Sequence, residues 1–260
     1  MLRSLWQPRA LAARLAASDL KSRTAGSALG VVWIFLPPAV TLLVYVFVFS
    51  VGFKSAPVQG VPYAVWLFAG MTPWFLFSDA LSGIAGCVTG YAPLVKKTRF
   101  QAALLPFVKA LSALAVHGVF LLLLYSCAAA FGVAVRPGWL LVPFYSLCAL
   151  FLALGLGTLC AALAPYVKDL PNAVALVLQL WFWATPIAYS AGVMSPAIQA
   201  VLRLNPLAFV VEGCRACLFG GPLPWERPLA LALFLLLCSA LYLFAARLFA
   251  RLQPCFSDVL

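Results

Sequence analysis

Acidic residues and histidine are scarce in this chain. It has six Asp and Glu and a single His in 260 residues. Charged residues of both signs make up 9%, against roughly 25% in soluble domains. A surface that faced water would carry more, so an ordinary soluble domain is excluded. The shortage runs the length of the chain, which also excludes one membrane anchor followed by a soluble body. Enzyme chemistry is thin for the same reason. The sequence holds no H-E-x-x-H, no G-x-S-x-G and no pair of aspartates at helical spacing. It has no G-x-x-x-x-G-K-[ST] phosphate loop, so the chain does not hydrolyse ATP alone. No short apolar core suited to a cleavable leader precedes the first long apolar run.

What is present is apolar, at 65% of residues. A hydrocarbon core about 30 Å thick takes roughly 20 apolar residues as helix. Six segments qualify: Gly30 to Phe53, Val61 to Ser78, Ala110 to Val135, Trp139 to Ala164, Leu170 to about Tyr189, and Pro228 to Ala246. They are continuously apolar and do not alternate as barrel strands do, so helices are predicted. Basic residues set the orientation. With the N-terminus in the cytoplasm, 12 Lys and Arg fall on the inner side. The other five, Lys54, Arg136, Arg203, Arg215 and Arg227, fall on the outer side. The prediction is a single all-α polytopic domain over residues 1–260 in the cell's inner membrane, with both termini cytoplasmic. The net charge of +11 reads as topology and as a match to anionic lipid heads, not as a nucleic-acid surface.

The connecting segments carry the rest of the signal. Residues 1 to 30 read as a helix lying in the inner interface. Pro8 suits its first turn, Leu11 and Leu15 share one face, and Arg14 and Lys21 lie to one side. Gly26, Ser27 and Gly30 then allow a bend into the first span. Residues 90 to 107 hold Lys96, Lys97 and Arg99 among apolar residues, as a short helix parallel to the membrane or a topology-setting loop. In the second inner loop Lys168 marks the side, and Asp169 is placed to cap the fifth span. Between Tyr189 and Pro228 two helices of about 9 and 14 residues are predicted. The first starts at Ser195-Pro196. The second starts at Asn205-Pro206 and is ended by Gly220-Gly221-Pro222. Both are too short to span, which suggests a re-entrant hairpin. Glu212 and Arg215, three apart on the second helix, can pair.

Cys127, Cys148, Cys160 and Cys238 fall inside apolar runs and read as small core residues. Cys214 and Cys217 form a C-x-x-C with no second pair at zinc spacing, which favours packing over metal or redox chemistry. Asp79 and His117 are the ionisable groups near the spans. Pairing, cavity lining and proton coupling all stay open for them. Trp66, Trp74, Phe75, Phe77, Trp181, Phe182 and Trp183 cluster near span ends, either as an interfacial belt or as a stacking path for sugars.

Four blocks in register give the chain a resemblance. "LKSRTAGSALGVVWIFLPPAVTLLVYVFVFSVGF", with Ser27, Leu29, Gly30 and Trp33, resembles the start of the membrane subunit of polysaccharide-exporting ABC transporters of the type-2 exporter class. "PLVKKTRFQAALLPFVKAL" resembles that family's first inner loop, with Gln101 where a proline is usual. "VKDLPNAVALVLQLWFWATPIAY" and "LNPLAFVVEGCRACLFG" resemble its second inner loop with span five and its outer re-entrant helix.

The resemblance implies a pair of such subunits working with two copies of a separate ATP-binding subunit. That partner holds the ATP and Mg, and this chain binds no cofactor or metal. It implies that residues 90–105, through Lys96, Lys97 and Arg99, form the coupling helix, with Lys168 and Asp169 as a second contact. It implies a gate turn at Ser27, Gly30 and Trp33. The diphosphate of a lipid-linked O-antigen, capsule or teichoic-acid polymer would be held near Lys21 and Arg23, which could equally bind lipid heads. Trp66, Trp74, Phe75, Trp181 and Trp183 are candidates for the glycan path. Asn205, Pro206, Glu212 and Arg215 belong to the outer re-entrant helices. An exporter of a drug or small lipid, a proton-coupled carrier and a membrane lipid enzyme are the competing expectations.

Overall fold

The structure is a computed structural model that describes residues 2–58, 60–97 and 101–260, without the side chains of residues 2–10, 97 and 258. The described residues are almost entirely helical, in the order α1 Leu2–Thr24, α2 Val32–Val46, α3 Tyr63–Ala85, α4 Cys87–Gly90, α5 Ala92–Lys97, α6 Leu105–Ala130, α7 Val142–Leu163, α8 Leu170–Trp183, α9 Pro196–Arg203, α10 Pro206–Phe219, α11 Pro228–Leu252 and α12 Phe256–Val259. Five stretches are long and apolar enough to cross a membrane: Val32–Gly52, Tyr63–Ala85, Ala102–Ala130, Pro137–Leu163 and Pro228–Cys255.

α3 is the axis of the bundle. Most of its side chains are buried, from Tyr63 to Ala85, and it packs against α6, α7, α8 and α10. α7 forms the second layer, between α3 and α11. α2 lies outside this core with no buried residue, and Val40, Leu43, Val44 and Phe47 at its outer side are exposed. Its other side, with Phe35, Leu42 and Tyr45, is half-buried against the core. So broad an exposed apolar face needs lipid or protein about it, and the chain is an all-α polytopic membrane protein.

Several sequence expectations shift. The second span runs past Ser78 to Ala85, so Asp79 is inside its helix. The fifth expected span is a 14-residue helix, α8, about 21 Å long. Residues 184–189 then turn away from the helix, because Pro186 removes an amide and the hairpin captures the freed carbonyls. α1 begins upstream of Pro8, which costs the helix one hydrogen bond. Its buried face is Ala12, Ala16 and Asp19, while Leu11 is 43% exposed and Leu15 half-buried. Small side chains let α1 approach α6 closely, which leucines would prevent. Asp169 stands at the N-cap of α8 but makes no capping bond.

Candidate functional site

At one end of the bundle α1 is fastened to α3 and α6 by an ion network. Asp19, 2% exposed, accepts hydrogen bonds from Lys109 Nζ (2.5 Å), Tyr91 Oη (3.0 Å) and Arg23 Nε (3.4 Å). Arg23 Nη1 reaches both oxygens of Asp79 at 3.0 Å. Ser112 Oγ donates to the Ala16 carbonyl at 3.1 Å. Burial pushes the Asp19 carboxyl up, but the hydrogen bond and charge of Lys109, with the bond from Tyr91, hold it below its ordinary 3.8. Burial lowers the Arg23 guanidinium, and the carboxylates of Asp79 and Asp19 more than reverse that. Two carboxylates thus face two cations, and Arg23 is already matched. Lys21 is exposed and stands outside the network.

The turn after α1 bends as the small residues suggest, with Gly26 at φ 76° and Gly30 at φ 52°, values that favour glycine. Ser27 Oγ is buried there without a partner. Trp33 follows, half exposed, at the rim of a cavity of about 440 Å³ between α2, α3 and α6. Arg23 and Asp79 stand at this cavity with Ser78, Ser82 and His117, and Pro38, Phe75 and Phe120 supply its apolar wall. His117 Nε2 lies 2.8 Å from Ser146 Oγ. That hydroxyl also lies 3.2 Å from the Val142 carbonyl. Nδ1 is buried with no partner among the described residues.

Phe75 and Ser78 also line a second cavity of about 300 Å³ between α2, α3 and α8. α2 therefore lies over both. Trp74, Trp183, Tyr45, Thr41 and Gln179 line the second one. Tyr45 stacks on Phe182 (centroids 5.5 Å, 10°) and meets Trp183 edge-on at 6.1 Å. Trp74 meets Phe182 edge-on at 5.4 Å. Gln179 is an exposed polar side chain of α8, on the same face as exposed Asn172 two turns earlier.

The aromatic candidates divide here. Trp74, Phe75 and Trp183 face the cavities beneath α2, whereas Trp66, at a separate cavity beside Arg215, and Trp181 brace the far end of the bundle. There α9 and α10 meet at 96°, with the lengths and boundaries close to those expected. Asn205 is the apex. Its Oδ1 accepts from Leu207 N (3.0 Å) and Trp181 Nε1 (3.0 Å), and its Nδ2 donates to Ala184 O (3.1 Å) and Thr185 Oγ1 (2.9 Å). Two donors and two accepted bonds use the whole side-chain amide. Pro206 follows as the first helical residue, and Gly220 ends α10 at φ 90°.

Arg215 is 7% exposed and does not form a salt bridge with Glu212, which faces outward. Its fork donates instead to the carbonyls of Pro186 (2.6 Å), Ile187 (2.5 Å) and Trp66 (3.3 Å). Its Cζ lies 3.4 Å from the Trp66 ring centroid. Tyr63 Oη donates to Ala188 O at 2.6 Å. Side chains therefore satisfy the carbonyls of Ala184, Pro186, Ile187 and Ala188, which no helix partner reaches. Gly70 makes this possible. A methyl there would touch Nη2 and lie 2.9 Å from Cζ of Arg215.

At the α1 end, Lys96 on α5 and Lys168 and Asp169 in the 164–169 turn are exposed. The side chain of Lys97 and the whole of Arg99 lie outside the described residues. No group of three His, Cys, Asp or Glu among the described residues could hold a metal ion.

The chain matches the family described as "ABC-2 type transporter" over residues 12–219. It is 32% identical over 234 residues to the "O-antigen export system permease protein RfbA" of Myxococcus xanthus, covering 88% of each chain. A protein of the same name from Klebsiella pneumoniae is 26% identical over 213 residues, 80% of each chain. With the phosphate loop missing and the helical bundle and broken hairpin in place, the chain belongs to the ABC-2 type transporter family.

Proposed function

We propose that this chain is the membrane subunit of an ATP-driven exporter that carries a lipid-linked polysaccharide from the cytoplasmic to the outer face of the cell's inner membrane. The observation that carries this reading is the likeness, over 88% of the chain, to a permease named for O-antigen export. The chain lacks a phosphate loop, so two copies of it work with two copies of an ATP-binding subunit that holds ATP and Mg. Both termini and the α5 end are cytoplasmic, and the Asn205 hairpin is on the outer side.

Lys96, Lys97 and Arg99, with Lys168 and Asp169, meet the ATPase. The diphosphate arrives at the gate turn of Ser27, Gly30 and Trp33. Lys21 is free to meet it, and Arg23 engages only by giving up Asp79. Sugars then pass Trp74, Phe75 and Trp183, where aromatic faces and Gln179 offer stacking and hydrogen bonds without demanding one sequence. Trp66 and Trp181 hold the outer hairpin that narrows the exit.

The test is controlled depletion of the subunit in its native host. Lipid-linked polymer should accumulate on the cytoplasmic side while surface polymer falls. Unchanged surface polymer after complete depletion would overturn the reading.

A further inference from the structure

The C-terminal tail takes no part in the two cavities beneath α2 or in the hairpin. α11 ends at Leu252, a tight turn covers Gln253–Cys255, and α12 follows as Phe256–Val259. This short tail is not loose. Phe256 is fully buried, its ring 5.3 Å from that of Phe249 and 6.4 Å from that of Tyr166. Tyr166 belongs to the 164–169 turn, and its hydroxyl donates to the Leu252 carbonyl at 3.4 Å. On its other side α12 packs against α5. The tail therefore sits between the two segments assigned to the ATPase contact and ties them together. The turn could not shift on its own without parting Tyr166 from Phe256, and α5 packs on the short helix that Phe256 begins.

The outward side of this assembly is basic and partly apolar, with Tyr166, Val167 and Val259 exposed. Lys96 on α5, Lys168 in the turn and Arg251 at the end of α11 are exposed, with Asp169 beside Lys168. Cys255 is also exposed, while the other seven cysteines are buried or half-buried.

We propose that residues 253–260 form the third element of the surface on which the ATP-binding subunit docks. Phe256 is the positioning residue that makes α5, the 164–169 turn and the tail move as one. The occupant is a soluble ATPase with an acidic rim, since among the described side chains of the platform Lys96, Lys168 and Arg251 are exposed against Asp169, with Asp258 of the tail outside that set. This inference rests on the exporter reading above. It adds that coupling is delivered to a braced platform and not to α5 alone.

Cys255 gives a test that needs no destabilising variant. The full-length subunit is placed in nanodiscs containing anionic lipid, alone and with its ATPase partner. It is treated with a membrane-impermeant maleimide, the labelled site is located by mass spectrometry, and Cys255→Ser serves as the blank. The expected result is labelling of Cys255 at least ten-fold slower in the complex than in the subunit alone. Equal rates would overturn the proposal. So would slow labelling in the subunit alone, which would put the tail against lipid. A subunit that recruits no ATPase at all would instead overturn the exporter reading. The positioning role is read separately, as export per ATP hydrolysed. Phe256→Ala should lower that ratio at least five-fold with the ATPase still bound, and Phe256→Leu should restore most of it. Equal loss of export and hydrolysis in both variants would refute positioning.

Discussion

Replacing Gly70 by Ala is the sharpest test of how the hairpin is held. The added methyl would touch Nη2 of Arg215 and lie 2.9 Å from its Cζ, where carbon contacts ordinarily need about 3.5–4.0 Å. Arg215 lines a cavity of about 300 Å³, but moving into it gives up the contacts that hold the guanidinium. The Trp66 ring is 3.4 Å away on one face, and the bonds to Pro186 and Ile187 are 2.6 and 2.5 Å. Retreat by about 1 Å stretches both short bonds to roughly 3.5 Å, where little attraction is left. A hydrogen bond from a charged donor contributes about 1.5–3 kcal/mol. With two such bonds lost, Gly70→Ala should cost about 3–6 kcal/mol of hairpin stability. The assay is maleimide labelling of Cys214 and Cys217 in a Cys255→Ser background. Both cysteines are buried beside Arg215 in α10. The expected result is labelling faster by roughly a hundred-fold or more, with export lost. Labelling at the parental rate would refute the argument that Gly70 is kept open for Arg215.

Other outcomes follow from the network and the cavities. Asp19→Asn removes a buried carboxylate that meets two cations, and should free α1 at a cost of about 3 kcal/mol, read as faster proteolysis after α1 residues. The Asp19 carboxyl is held below its ordinary 3.8 in the fold. Its contribution is thus complete above about pH 5 and lost only as pH falls through the lowered value, so α1 should stay protected at about pH 5 and be released well below about pH 4. Arg23 and Asp79 are partly exposed, so a double-mutant cycle of Arg23→Ala and Asp79→Asn should give coupling of only about 0.5–1 kcal/mol in thermal unfolding. Trp183→Ala should lower export several-fold with assembly intact, whereas Trp181→Ala should destabilise the hairpin through loss of the Asn205 bond. Charge reversal at Lys96 and Lys97 should weaken ATPase association in pull-downs.

The long elements are legible because lipid leaves the backbone few choices. Continuous apolar runs form helices, and Ser195-Pro196, Asn205-Pro206 and Gly220 mark the hairpin within a residue. Proline and glycine constrain backbone angles locally, so their signals survive without tertiary knowledge. The departures from expectation are tertiary. Helical spacing pairs Arg215 with Glu212 because it shows side-chain neighbours and not carbonyls released elsewhere in the chain. The role of Asp19, a single acid in a basic helix, depends on Lys109 and Tyr91, far away in sequence. The Ala12–Ala16–Asp19 face consists of small and acidic side chains, so no stripe of large apolar residues marks it as the buried side. The shortening of α8 to 14 residues is set by partners of Pro186 and Ile187 that periodicity does not report. The burial of Phe256 gives no sign either, since one phenylalanine near a terminus has no pattern.

In the proposed exporter this chain is half of a transport pathway driven by a separate ATPase. The most direct measurement is purification of the tagged subunit from its native host in mild detergent, with mass spectrometry of the eluate and an assay of ATP hydrolysis. A control exporter known to survive the detergent is run in parallel. The account predicts a soluble ATPase subunit at one copy per membrane chain, with hydrolysis that falls when Lys96 and Lys97 are reversed in charge. An eluate without ATPase while the control complex stays whole would contradict it.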